Sequence, residues 1–231
     1  LLADADQVDD PRLAAHLRRQ CLRLYRLLAH SDFLHDPPLT EQLRLHHIDL
    51  SALCFDAVQA ALQNGPAKGT KDITVTVPDQ CDALVEPQLV RTALYNLLSN
   101  ALRVTPMAGD ITVTLHDDHT FFTISVADRG PGLHAETFQA LLTGWQRSVS
   151  LEDYLALARQ GAPLGLGLPL VHRIAQLHGG SLLLSPREGG GSILHLSLAR
   201  LPESLADHNL RAPMILEDGY SLEEIEFSIF E

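Results

Sequence analysis

The sequence predicts an α+β protein, a two-layer α/β sandwich whose mixed sheet is covered by helices, with a separate helical segment in front. Three observations lead there. Apolar residues recur at coiled-coil spacing over residues 11–33, β-branched residues alternate from Ile73, and helical and strand-like stretches interleave from Pro87 to about residue 198.

In the first helix, Pro11 to about Phe33, the residues Ala14, Leu17, Cys21, Leu24 and Leu28 are spaced 3, 4, 3 and 4, and arginines 12, 18, 19, 23 and 26 take the other faces. That seam predicts pairing of two copies through this helix. Pro37-Pro38 ends it. Asp49 is placed to cap a second helix, which stops near Asn64-Gly65-Pro66. Beyond Lys68, the alternation of Ile73, Val75 and Val77 opens the globular part, followed by a helix from Pro87. Strands are expected at about 110–116 and 121–127, as a hairpin around Asp117-Asp118, and at about 181–185 and 192–198 around Arg187–Gly191. The resulting division is 1–66 helical, 67–202 globular and 203–231 an acidic tail. Residues 217–231 carry six acidic side chains and no basic one, and Ile225, Phe227 and Ile229 alternate like one face of a strand. A poorly ordered terminus is expected there in preference to a docking strand.

Composition narrows the function classes. With 17 Lys and Arg against 29 Asp and Glu, the net charge is −12, which argues against a nucleic-acid partner. No run of 18 apolar residues occurs, so the segment is expected to be soluble and to make no membrane contact. A chain beginning at Leu1 reads as a piece of something longer. Cys21, Cys54 and Cys81 form no CxxC pair, which favours a reducing cytosol over a disulfide framework or a zinc site. The 12 histidines are scattered, and the adjacent pair His46-His47 reads as surface.

Chemistry concentrates in three stretches. In Asn96-Leu97-Leu98-Ser99-Asn100-Ala101-Leu102-Arg103, two amides four residues apart project from one face of an apolar helix. Asp128-Arg129-Gly130-Pro131-Gly132 follows the β-rich run 120–127, setting a lone carboxylate beside glycines where backbone can approach a ligand. Gly165-Leu166-Gly167-Leu168 runs into the helical pattern Val171, Ile174, Ala175, Leu177, so free N–H groups at that helix start suit phosphate oxygens.

In this order and spacing, the stretches resemble the N box and two glycine boxes of the sensor histidine kinases, relatives of gyrase and the heat-shock chaperones in the Bergerat ATP-binding fold. The resemblance covers about residues 70–201 with specific motifs and 11–64 by pattern. It implies ATP as ligand, with Asp128 taking the adenine amine, Gly130 and Gly132 beside it, and Ser192 supporting Asp128 from the penultimate strand. Asn96, Asn100 and Arg103 would face the phosphates with Gly165, Leu166, Gly167 and Leu168. Asn100 would be the Mg²⁺ ligand, its carbonyl oxygen suiting a hard cation that takes few protein ligands. Residues 134–164 would form the lid, with Trp145 and Phe138 a poor match to the family's Phe-rich motif and Arg147 a candidate phosphate contact.

Residue 96 separates reaction types. Hydrolytic relatives carry a Glu base in this part of the motif, whereas Asn96 cannot take a proton, so phosphotransfer is favoured over hydrolysis. The family's acceptor string, His-Glu/Asp-Leu-Arg-Thr-Pro-Leu, is missing: His16 lacks the adjacent acid, and His35-Asp36 lies at a helix end. Residues 11–64 then read as the second helix of a dimerisation hairpin plus linker. The implied function is the ATP-binding catalytic region of a two-component sensor histidine kinase, homodimeric and cytoplasmic, or the cytoplasmic part of a membrane-anchored sensor. Its partner would be a response-regulator receiver domain. A regulatory nucleotide-binding or dimerising module without phosphotransfer stands as the alternative, with a hydrolytic ATPase behind it.

Overall fold

Asp10 starts the first helix as a local cap, its carboxylate accepting from the N–H of Arg12 at 2.9 Å with Pro11 next in the chain. The computed structural model describes residues 10–39, 43–65, 71–144, 165–202 and 221–230. Helix α1 spans Pro11–His35, and the Asp36 N–H closes its last turn onto the Asp32 carbonyl before Pro37-Pro38. Strand β1 (His46–Asp49) leads into α2 (Leu50–Asn64). Asp49 caps α2 from 2.9 Å at the Ser51 N–H and also accepts from the Cys81 N–H at 3.0 Å. That second bond ties β1 to β3 (Asp82–Val85), its antiparallel partner. At four residues each, β1 and β3 are too short to show alternation in the sequence.

The main sheet has the order β2-β4-β5-β7-β6, with β2 Ile73–Thr76, β4 Ile111–Asp117, β5 Phe121–Ala127, β6 Ser181–Pro186 and β7 Ser192–Ala199. Strand β2 runs parallel to β4 and the other pairings are antiparallel, so the sheet is mixed as predicted. Its two faces differ chemically. Ile111, Val113 and Leu115 of β4, Phe122, Ile124 and Val126 of β5, and Leu194, Leu196 and Leu198 of β7 are buried in the core with α2, α3 (Pro87–Val104) and α5 (Gly167–Leu177). The alternate residues are mostly polar and partly exposed, with Ser125 and His195 hydrogen-bonded across strands at 2.8 Å. One apolar face explains why helices cover one side only.

Buried polar groups anchor α3 at both ends. Glu86 accepts from the N–H of Gln88 at 3.3 Å and of Arg44 at 3.0 Å, while its own N–H donates to His178 Nε2 at 3.0 Å. Burial pushes the Glu86 carboxyl up, partly offset by those N–H donors. At the far end Lys71 Nζ donates to the carbonyls of Leu102 and Thr105. The helix carrying the paired asparagines is therefore held lengthwise as well as by its apolar face.

Helix α4 (Ala135–Gly144) begins the segment expected to form a lid; Trp145 and Arg147 lie outside the described residues. The acidic C-terminal end departs from expectation. Residues 221–230 are neither a loose terminus nor a strand: α6 (Leu222–Glu226) opens with a capping box between Ser221 and Glu224. Leu222, Ile225 and Phe227 are buried, Phe227 lying 5.3 Å from the Tyr95 ring centroid. The run of acidic side chains predicts a loose terminus, but Glu224 and Glu226 find Arg18 and Arg26 of α1, which the run by itself does not reveal. Among the described residues, no helix is long and apolar enough to cross a membrane.

Candidate nucleotide site

Helix α3 carries Asn96 and Asn100 one turn apart, but the two amides have different surroundings. Asn96 is fully buried: Nδ2 donates to the Thr92 carbonyl at 2.9 Å and to Glu226 at 3.0 Å, while Oδ1 accepts from Arg26 at 2.8 Å. Asn100 is half-buried and makes no side-chain hydrogen bond among the described residues. Helix α5 starts against both. A Cβ on Gly167 would lie 2.8 Å from Asn96 Oδ1 and 3.7 Å from Asn100 Nδ2, so only glycine lets the α5 backbone come this close. Leu166 and Leu168 are buried, leaving their backbone as the part a ligand can use, and Leu166 makes no side-chain cap. Gly165 precedes them with φ 69°.

Asp128 stands at the end of β5, 7 % exposed. Its Oδ1 accepts from the Gly130 N–H at 2.7 Å and its N–H donates to the Ser192 carbonyl at 2.9 Å. Among the described residues, no hydrogen bond reaches its Oδ2. Ser192 Oγ accepts from the Leu133 N–H at 2.8 Å, closing the loop that contains Gly132. Gly191 permits the pairing. Its φ is 104°, and a Cβ there would sit 2.0 Å from the Asp128 carbonyl oxygen.

The two motifs meet at the end of α3. The Arg129 N–H donates to Thr105 Oγ1 at 3.2 Å, and a Cβ on Gly130 would lie 2.7 Å from Val104 Cγ2, one turn beyond Asn100. Arg129 also pairs with Asp110 at 3.0 Å and donates to the Glu188 carbonyl at 2.8 Å. Arg187 joins Asp110 as well, and hydrogen bonds from the two arginines hold that carboxyl down at about 2.

Three residues at the site were not legible as such: Arg26 and His30 of α1, and Glu226 of α6. Arg26 Nε lies 2.7 Å from one Glu226 oxygen and His30 Nε2 lies 2.8 Å from the other. Burial opposes ionisation of Glu226, yet the His30 and Arg26 charges and hydrogen bonds outweigh it and hold the carboxyl at about 2. Desolvation and the neighbouring Arg26 charge both lower the Arg103 pKa, so the two guanidinium groups feel one another beside α3. The basic face of α1 and the acidic end of the chain were visible as charge runs. Only their meeting was hidden.

Residues 85–202, just over half of the chain, match the family described as histidine kinase-, DNA gyrase B-, and HSP90-like ATPase. The chain belongs to this ATPase family. It is 30% identical over 182 residues to the histidine protein kinase DivJ of Caulobacter vibrioides, covering 76% of this chain and 29% of that one. With the adaptive-response sensory kinase SasA of Gloeothece citriformis it shares 29% over 208 residues, 84% of this chain and 50% of that one. The chain thus spans from under a third to half the length of these relatives. Among solved structures, full-length ShkA in complex with AMPPNP superposes with TM-score 0.65 at 21% identity, over 84% of this chain and 40% of that one. The Acinetobacter baumannii histidine kinase AdeS gives 0.63 at 18%, over 86% and 93%. These structures share the fold, and the ATPase family match lies within the part of the chain they cover.

Proposed function

We propose that this chain is the catalytic part of a two-component sensor kinase that binds Mg²⁺-ATP and transfers the γ-phosphoryl group to a histidine on a helical hairpin, for relay to a receiver-domain aspartate. The observation that carries the reading is the convergence of the two amides of α3 on the glycine start of α5, with Asn rather than Glu at position 96. Without a carboxylate base in α3 there is little to activate water, which favours transfer to a positioned nucleophile.

Within this reading Asp128, supported by Ser192, accepts from the adenine amine, with Gly130 and Gly132 letting backbone approach. Asn96, Asn100, Arg103 and the backbone at Gly165, Leu166, Gly167 and Leu168 attend the phosphates. The cradle at Gly167, which a Cβ would fill, and the unengaged amide of Asn100 fit a phosphate-bound Mg²⁺. When bound, the metal supplies charge neutralisation at the phosphates. The unit proposed from the sequence, residues 67–202, is widened by β1 and α2, which pair with β3 and pack in the same core, leaving α1 as the hairpin helix. Leu17, Leu24 and Leu28 of α1 are 38%, 44% and 56% exposed, which supports a homodimer through that seam. A cytoplasmic location follows from the function proposed.

The test is transfer in trans. The chain, radiolabelled ATP and a separate histidine-bearing hairpin should give acid-labile label on the hairpin. Tight ATP binding with no transfer to any hairpin supplied would favour the regulatory module.

A further inference from the structure

Asn96, the residue on which the phosphate end of the site depends, is already engaged by groups from the two ends of the chain. Its amide donors go to the Thr92 carbonyl and to Glu226, so no N–H of this side chain is left for a phosphate while α6 is docked. The Glu226 carboxylate is held as an oxyanion of a ligand would be: one oxygen by Arg26 Nε at 2.7 Å and Asn96 Nδ2 at 3.0 Å, the other by His30 Nε2 at 2.8 Å.

We propose that Glu226 is an internal stand-in for a phosphoryl group, held by the segment Ser221–Phe230 in an anion subsite of Arg26, His30 and Asn96, and displaced when nucleotide phosphates bind. The inference rests on the nucleotide reading above and adds an autoinhibitory contact to it. Glu226 could instead restore the base that Asn96 lacks, but a carboxylate clamped by a guanidinium and an imidazole is a poor proton acceptor. The remaining contacts describe a detachable clasp. Arg23 donates to the Ser228 and Ile229 carbonyls at 2.8 and 2.9 Å, Arg18 pairs with Glu224 at 3.1 Å, and Tyr95 donates to Glu223 at 2.5 Å. Arg18, Arg23 and Arg26 all lie on α1, so a shift of that helix would loosen the clasp and free Asn96 together.

The experiment uses the whole chain. AMPPNP with Mg²⁺ and, separately, adenosine are titrated calorimetrically into wild type, Glu226→Gln and Phe227→Ala, the last loosening the segment through its packing on Tyr95. Both variants should bind AMPPNP about five- to tenfold more tightly than wild type, with adenosine unchanged, because the competent fraction rises. Amide hydrogen exchange of residues 222–230 in wild type should accelerate when AMPPNP is added, a readout that needs no variant to fold. AMPPNP binding with unchanged affinities, or with 222–230 still protected, overturns the clasp and leaves the nucleotide reading intact. Failure of wild type to bind either AMPPNP or adenosine overturns that reading, and the clasp with it.

Discussion

The two ends of the candidate nucleotide site are built on different principles. At Asp128 the partners are local or lie on an adjacent strand: Gly130 two residues away, and Ser192 on β7, paired with β5. At Asn96 two of the three partners come from 70 and 130 residues away in sequence, Arg26 and Glu226. The first end forms whenever the sheet forms. The second depends on α1 and α6 being docked, and so can respond to what moves them.

The largest effect that could break this contrast comes from Arg26→Ala. Leaving Glu226 buried without its guanidinium costs ~3–5 kcal/mol, more than a short segment on the surface of α1 and α3 can sustain. Residues 222–230 should then exchange rapidly while strands β4, β5 and β7 keep their protection. Loss of protection in the sheet as well would mean that the two ends are one cooperative unit. Next comes Asp128→Asn, which sets an amide donor against the adenine amine and should weaken ATP by ~1–3 kcal/mol. Calorimetric titration reads it directly, and unchanged affinity in a folded variant would remove Asp128 from the adenine site.

Asn100→Ala sharpens the division from the other side. Binding of Mg²⁺-ATP should fall roughly tenfold while adenosine, with no phosphates to bridge, binds as before. Equal losses would make Asn100 a structural residue. The smallest effect concerns Asp110, half-exposed between Arg129 and Arg187. Its carboxyl is held at about 2, below the ordinary 3.8, so the ion pairs stabilise the fold above pH 4 and the contribution fades as pH falls from about 4 to 2. Asp110→Asn should lower Tm at pH 6, with the gap to wild type narrowing through that window. A gap independent of pH would deny the carboxylate its role.

Much of the architecture was readable beforehand because it rests on short-range pattern. Asp49 caps the helix it precedes, the strands expected at about 110–116, 121–127 and 192–198 form β4, β5 and β7, and the period of α3 sets Asn96 and Asn100 one turn apart. The apolar seam of α1 was also legible, but its surroundings were not. Leu17, Leu24 and Leu28 face away from the domain, while Arg18, Arg23 and Arg26 meet the acidic end of the chain. Periodicity reports which residues share a face and is silent about what covers it.

By itself, then, the sequence determined the long helices, the main strands and the three motifs proposed to face the nucleotide, since each depends on backbone preference and side-chain spacing within a few residues. Tertiary structure alone decided that β1 pairs with β3, that Arg129 and Arg187 share Asp110, and that Glu226 lies on Asn96. Those contacts join residues separated by many positions in the chain, and a pattern of neighbouring residues carries no record of which distant segment will lie against it.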